Sequence, residues 1–392
     1  AILEITGAYI ILVKPTFGSV STRITLEGIG FDGSTTVTID FGTSLSITTV
    51  KSTPSGTFSI SFRVDTQCWG TKGITASTSL REINRTVNID NILTTFIITD
   101  AYIIQVKPTE GTVGTIVTVQ GVGFNGTGSI VTIDFGTHYT ITTTIASESG
   151  TFSVTFLVST ISYGTQRITA STDNQLNINI DYNRTNTTFK ILSDIITYTP
   201  QEGSVTTIVT LMGRGYNGSE TVRIDFGTHQ TITTTTSTEN GTFSLTFTVD
   251  TQCWGTKTIT ISTLYGAWNT LNFTITSAYL ILVYPTEGTV GTLVTLSGVG
   301  FNGSATVRID FGTKQTITST LSSPSGTFSV TFLVNTQRYG THRITATTTN
   351  QPDINVNYEG TNTTFKILSQ LPLQTEHSAL PSVLTLNIVE QR

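Results

Sequence analysis

Apolar and polar residues alternate along most of this chain. Val37, Ile39 and Phe41 alternate in TVTIDFG, and Phe58, Ile60, Phe62 and Val64 alternate in TFSISFRV. A period of two puts every second side chain on one face, the signature of a half-buried strand. Gly42, Gly56 and Gly70 punctuate these runs, with Pro54 in a turn before Gly56. No window sustains a 3.6-residue apolar period with caps, so no helix longer than a turn or two is expected. Seven or so short strands, with turn signals about every ten residues, predict a β-sandwich of immunoglobulin type.

The same pattern is written four times. PTEGTVGTIVTVQGVGFNG at Pro108 returns as PTEGTVGTLVTLSGVGFNG at Pro285, with looser copies at Pro15 and Pro200, at spacings of 93, 92 and 85 residues. Each copy then carries I-D-F-G-T, G-T-F-S and an aromatic-Gly-Thr. The expected units are residues 8–100, 101–193, 194–277 and 278–369. The third is shorter between Ser262 and Asn272, where the hairpin before its closing strand is trimmed. TTFIITDAYIIQVKPTEG passes from a closing to an opening strand with no Gly/Ser or Pro-rich spacer. The fold class expected is therefore all-β: four tandem immunoglobulin-like β-sandwich domains in a stiff rod.

Two segments fall outside the four units. Residues 1–7 (AILEITG) align with the closing strands TTFIITD and TTFKILS, with Leu3 and Ile5 where Phe96 and Ile98 fall. They read as an orphan strand. Residues 370–392 hold a two-proline connector and then SVLTLNIVEQR, with Leu384, Leu386 and Ile388 on one face. An extra strand at each terminus is thus expected. Unpaired strands seek a sheet edge, and strand addition supplies backbone hydrogen bonds between subunits. The C-terminal strand is a candidate donor to the first domain or N-terminal segment of another copy. Alternatively the chain is a fragment of a longer array, or the tail folds back on the fourth unit.

Composition agrees with this picture. Hydrophobic residues make up 37% and charged residues only 11%. β-Branched Thr, Ile and Val fill the difference and favour pleated surfaces. The net charge of −5 is spread out, with no basic run, so no nucleic-acid partner is expected. No stretch approaches the roughly 18 to 20 apolar residues that span a bilayer. The start of the chain reads as that of a mature secreted protein. Nine N-x-S/T sequons occur, at Asn84, Asn125, Asn183, Asn186, Asn217, Asn240, Asn272, Asn302 and Asn362. Some would arise by chance in a chain rich in Asn and Thr. Asn125, Asn217 and Asn302 share one repeat position, where the first unit has Asp32. N-linked glycans on surface loops are the expectation.

The unit P-x-x-G-x-x-x-T-x-V-T-x-x-G-x-G-F followed by V-x-I-D-F-G resembles the IPT/TIG group of immunoglobulin-like domains. The form with G-T-F-S-x-x-F-x-V and G-T-x-x-I-T-A resembles those of prokaryotic, especially archaeal, surface proteins. The resemblance covers residues 8–369 and implies a fold; domains of this group serve in receptors, transcription factors, glycan enzymes and cell-surface layers, so it implies no activity.

Candidate chemistry is sparse. Gly28/Gly30/Gly33, Gly121/Gly123/Gly126, Gly213/Gly215/Gly218 and Gly298/Gly300/Gly303 fit G-x-G-x-x-G. That fingerprint needs a following helix; here a strand follows, so a bulge and turn are expected. Asp40, Asp134, Asp225 and Asp310 recur singly, too few for calcium, and should face solvent or bond turn amides. His138, His229, His342 and His377 form no metal-ligand spacing and read as exposed. No nucleophile elbow appears and acids are scattered. No catalytic, cofactor or metal site is expected, and no enzyme.

Cys68 and Cys253 share T-Q-C-W-G-T-K, at a position that is Ser162 and Arg338 in the other units. A position that accepts Arg is expected to be exposed. An inter-subunit disulfide, free thiols, or an intrachain bond in a folded-back array are the three options, since matching positions two domains apart in a straight rod exceed disulfide reach. The adjacent Trp69, Tyr163, Trp254 and Tyr339 either stack on sugars or pack at a sandwich end. The functional expectation is a structural subunit of a secreted, glycosylated extracellular filament or pilus-like fibre. It would assemble head-to-tail from identical subunits by strand donation. An S-layer or stalk component, or an adhesin that binds host or cell-surface glycans, are the alternatives.

Overall fold

The fold was obtained as a computed structural model that describes residues 7–78, 94–126, 128–173, 175, 187–349, 351 and 363–369. Both expected extra strands lie outside the described residues, as do Asn84, Asn183, Asn186, Asn362 and His377.

The first repeat folds as β1 (Tyr9–Lys14), β2 (Phe17–Ser19), β3 (Arg23–Ile29), β4 (Thr36–Phe41), β5 (Ser44–Lys51), β6 (Phe58–Arg63), β7 (Gly70–Thr78) and β8 (Thr95–Asp100). Strands β1-β3-β6 form a three-stranded antiparallel sheet. Strands β2-β8-β7-β4-β5 form a five-stranded sheet, antiparallel except where β2 lies parallel to β8. The other three repeats have the same order and pairing, which makes four immunoglobulin-like sandwiches. Among the described residues there is no helix. Among the described residues each repeat has eight strands, where seven or so were expected. The additional one, β2, spans only Phe17–Ser19 and is held by backbone pairing to β8, so no alternating pattern announces it.

Alternation places the cores. In β4, Val37, Ile39 and Phe41 are fully buried, and in β3 so are Ile24 and Leu26. Phe41 meets Phe62 and Phe96 with ring centroids 6.0 Å apart, which locks the two sheets together. A second edge-to-face pair, Phe31–Phe58 at 5.0 Å, recurs as Phe124–Phe152, Tyr216–Phe243 and Phe301–Phe328. Such pairs contribute about 0.5–1.5 kcal/mol beyond area burial.

The third repeat forms its trimmed hairpin with regular antiparallel pairing. Gly255–Ser262 pairs with Trp268–Ser277 across a turn closed by Thr263 and Ala267. In each repeat the first strand ends at a cis X–Pro bond, to Pro15, Pro108, Pro200 and Pro285.

Candidate functional site

The candidate site is the set of three joints between repeats. Each begins with the loop after β6. Gln67 is buried, donates to the Phe41 carbonyl at 2.6 Å and to Asp65 at 2.9 Å, and accepts from the Thr43 amide at 3.2 Å. Gln252 makes the same three bonds in the third repeat. With its polar groups satisfied, this side chain fixes the loop and turns the next two residues toward the following repeat.

The following repeat receives that loop with its glycines. The Trp69 amide donates to the Phe124 carbonyl at 3.1 Å, Tyr163 to Tyr216 at 2.8 Å and Trp254 to Phe301 at 3.1 Å. A Cβ on Gly150 would lie 2.5 Å from the Cys68 Cα, and one on Gly326 would lie 2.6 Å from the Cys253 Cα. Both glycines also have positive φ, +72° and +74°, so close approach and backbone conformation each require Gly there.

The first and third joints carry an apolar clamp. Only Ala101, fully buried, separates β8 from the next opening strand, Tyr102–Lys107. Tyr102 packs with Val20 and Val122, and its hydroxyl donates to the Val20 carbonyl at 3.1 Å. At the third joint Ala278 is the connector, Tyr279 packs with Val205 and Val299, and its hydroxyl donates to Val205 at 2.9 Å. The middle joint differs. Asp194 stands where the tyrosines stand, and Arg214 stands where Val122 and Val299 stand, while Val113 keeps the position of Val20 and Val205. Asp194 and Arg214 form an ion pair at 3.1 Å. Arg214 Nε is buried with no hydrogen-bond partner. Tyr163 packs against the core of the third repeat, and Ser193 bonds the strand that starts at Trp268.

The sequence-predicted residues fall around these joints. Cys68 and Cys253 are free and half-buried rather than exposed. The expectation failed because Arg338, on which it rested, is exposed in the last described repeat, whereas the two cysteines meet glycines of the repeat that follows them. Tyr339 is 78% exposed and Trp69 37% exposed. Of the four aromatics, Tyr163 packs against the core of the following repeat and Trp254 is half-buried, whereas Trp69 and Tyr339 are exposed. Asn125, Asn217 and Asn302 sit half-buried in the loops that receive the joints; Asn240 and Asn272 are exposed. The Asn302 side-chain amide donates to the Thr349 carbonyl at 3.0 Å.

The other recurrent residues have local roles. Asp40, Asp134, Asp225 and Asp310 accept from the amides of Ser46, Thr140, Thr231 and Thr316 at 2.6–2.8 Å. Those four acceptor bonds hold residues of positive φ in the hairpin. The Gly triplets divide by role. Gly121 leaves room for the Phe152 and Phe124 rings, Gly123 adopts φ +77° beside the Asp100 carbonyl, and Gly126 faces Glu148 and Cys68. Strand and turn follow, not a helix, so no pyrophosphate cradle forms. His229 pairs with Asp250, His138 lies 3.4 Å from the Ser159 hydroxyl, and His342 bonds the Arg338 carbonyl at 2.7 Å. Among the described residues no His, Cys, Asp and Glu group could hold a metal ion. A groove beside the first joint is lined by Thr66, Ile104, Gln120, Ile145, Thr151 and Phe152 among others, with no carboxylate or imidazole.

Two phenols of the third repeat are perturbed. Burial pushes Tyr198 up to about 12. Burial, with Asp194 nearby, raises Tyr216 further, against a hydrogen bond to Ser193 that lowers it.

No protein-family model matches the chain, and no curated protein matches it. Several solved structures are similar to the chain at low identity. A tetra-tandem repeat from the extending region of a large adhesion protein is 13% identical, over 93% of this chain and 99% of that one, with a TM-score of 0.27. Invasin, a bacterial integrin-binding protein, is 15% identical over 92% and 79%, with a TM-score of 0.24. The Yersinia pseudotuberculosis adhesin InvE is 14% identical over 53% and 64%, with a TM-score of 0.25. Likenesses this slight carry no argument about activity or partners. No helix among the described residues is long and apolar enough to cross a membrane.

Proposed function

We propose that this chain is a structural subunit of a secreted, glycosylated extracellular filament, built of IPT/TIG-type domains. The observation that carries the reading is that all three joints are closed by direct backbone hydrogen bonds, with a fully buried one-residue connector at two of them. Such joints transmit force and orientation from one sandwich to the next, where a flexible linker would not. Assembly is head-to-tail between identical subunits, with the strand around Leu384, Leu386 and Ile388 donated to the edge that Leu3 and Ile5 help to form. Head-to-tail contacts that do not close into rings give filaments. Glycans on Asn125, Asn217 and Asn302 would then collar the joints, with others at Asn240 and Asn272 on exposed faces.

The packing of Tyr163 against the core of the third repeat favours this structural reading over a glycan-binding adhesin at that position, because a sugar-stacking face must be open. Electron microscopy of the native assembly, with and without residues 381–392, tests the proposal. Filaments that disappear on deletion are expected. Two-dimensional sheets would favour a surface-layer component, and filaments that survive the deletion would contradict strand donation.

A further inference from the structure

Lys72 and Lys257 follow the two cysteines by four residues in the joint loops. Lys72 Nζ lies 3.2 Å from Cys68 Sγ, and Lys257 Nζ lies 3.2 Å from Cys253 Sγ. The intervening Gly70 and Gly255, at φ +103° and +101°, fold the chain back so that positions i and i+4 meet outside any helix. Each amine is also held by the preceding loop carbonyl, of Trp69 at 3.5 Å and of Trp254 at 3.4 Å. Among the described residues neither lysine has a carboxylate partner.

The pairing is selective within the chain. Where the cysteine is replaced by Ser162 or Arg338, the lysine is replaced by Gln166 or His342, and those side chains bond the Ser162 and Arg338 carbonyls, one residue before the carbonyls the lysines reach. A loop tie alone therefore does not call for lysine. Lysine occurs where sulfur does.

From this geometry we infer that Cys68–Lys72 and Cys253–Lys257 are oxidative cross-linking sites in which the lysine amine captures an oxidised cysteine as a sulfenamide. A hydroperoxide oxidises the thiol to a sulfenic acid; its O–O bond breaks and it is reduced to water or alcohol. The lysine, after giving one proton to solvent, attacks sulfur with its nitrogen lone pair. The S–N bond forms, the S–OH bond breaks, and the hydroxyl leaves as water with a proton from the amine. The pair loses two hydrogen atoms in all. An external thiol attacks sulfur and releases the amine, leaving a mixed disulfide, and a second thiol displaces the cysteine as thiol with formation of the external disulfide. Each cysteine is half-buried rather than enclosed, and the reaction requires that a small oxidant reach its sulfur. The loop that would be cross-linked is the one that seats the first and third joints, so the bond would fix its shape. This inference is independent of filament assembly.

The test uses the full chain, reduced and desalted, then treated with hydrogen peroxide and digested with trypsin without reductant. The expected products are peptides uncleaved at Lys72 and Lys257, each lighter than its unmodified form by two hydrogen atoms and restored by dithiothreitol. Lys72→Arg should abolish the product at Cys68, leave it at Cys253, and make Cys68 sulfenic acid trappable by a 1,3-diketone probe. Oxygen-bearing cysteines beside a cleavable lysine, a disulfide-linked dimer on a non-reducing gel, or thiols that stay unreacted would each overturn the inference.

Discussion

The outer joints and the middle joint use the same backbone hydrogen bond but different side chains. Tyr102 and Tyr279 bury an aromatic ring between valines and satisfy the hydroxyl on a carbonyl of the preceding repeat. At the middle joint the same positions hold Asp194 and Arg214. A buried large apolar side chain is worth about 1.5–3 kcal/mol, whereas a partly exposed ion pair contributes about 0–1 kcal/mol. The unsatisfied Arg214 Nε subtracts from that. The tyrosine clamps thus mark two pairs, repeats one and two and repeats three and four, and the middle joint, where Tyr163 supplies the apolar contact instead, is expected to be the softer one. Stiffness in a tandem array is set by its joints as much as by its domains.

Breaking the clamp should have the largest effect. Tyr102→Ala or Tyr279→Ala should cost about 3–5 kcal/mol, the range for large aromatic truncations, and split the thermal unfolding of the affected pair in calorimetry. Converting the middle joint to the outer type, with Asp194→Tyr and Arg214→Val together, should stabilise repeat three against repeat two by about 2 kcal/mol. Tyr102→Phe keeps the ring and loses the hydrogen bond, for about 1 kcal/mol. Asp194→Ala should cost under ~1 kcal/mol, less at high salt, since the pair is partly screened.

A last difference is silent at neutral pH. The other repeats carry Phe31, Phe124 and Phe301 where the third carries Tyr216. A phenol whose folded pKa is raised holds its proton after the unfolded chain has released it. That stabilisation is complete below the ordinary value of 10.0 and is lost as pH rises from there toward the raised value, about 12 for Tyr198. The third repeat should be the first to lose protection in alkaline hydrogen exchange, and Tyr216→Phe should remove most of that lability.

The sandwiches were legible because alternation is a local signal. TVTIDFG and TFSISFRV need no partner to reveal which face is buried. Asp40 was legible for the same reason, since its acceptor bond reaches only six residues ahead, to Ser46. The short β2 was not, because its pairing with β8 is backbone-only and some eighty residues distant in sequence. The joints were half legible. The missing linker and the aromatic position could be read, but the burial of Cys68 could not, since its neighbours Gly126 and Gly150 belong to another repeat. The substitution of Asp194 for tyrosine is plain in the aligned repeats, yet its meaning depends on which face meets which across a joint.

The most direct measurement is hydrogen exchange at three equivalent amides in the full chain. Trp69, Tyr163 and Trp254 each donate one bond across a joint, to Phe124, Tyr216 and Phe301. Opening of a joint exposes that amide without unfolding either sandwich. If the outer joints are clamped and the middle one is softer, Tyr163 exchanges faster than Trp69 and Trp254, and Tyr102→Ala brings Trp69 to the Tyr163 rate. Equal protection at all three, or slower exchange at Tyr163, would contradict the division into two clamped pairs.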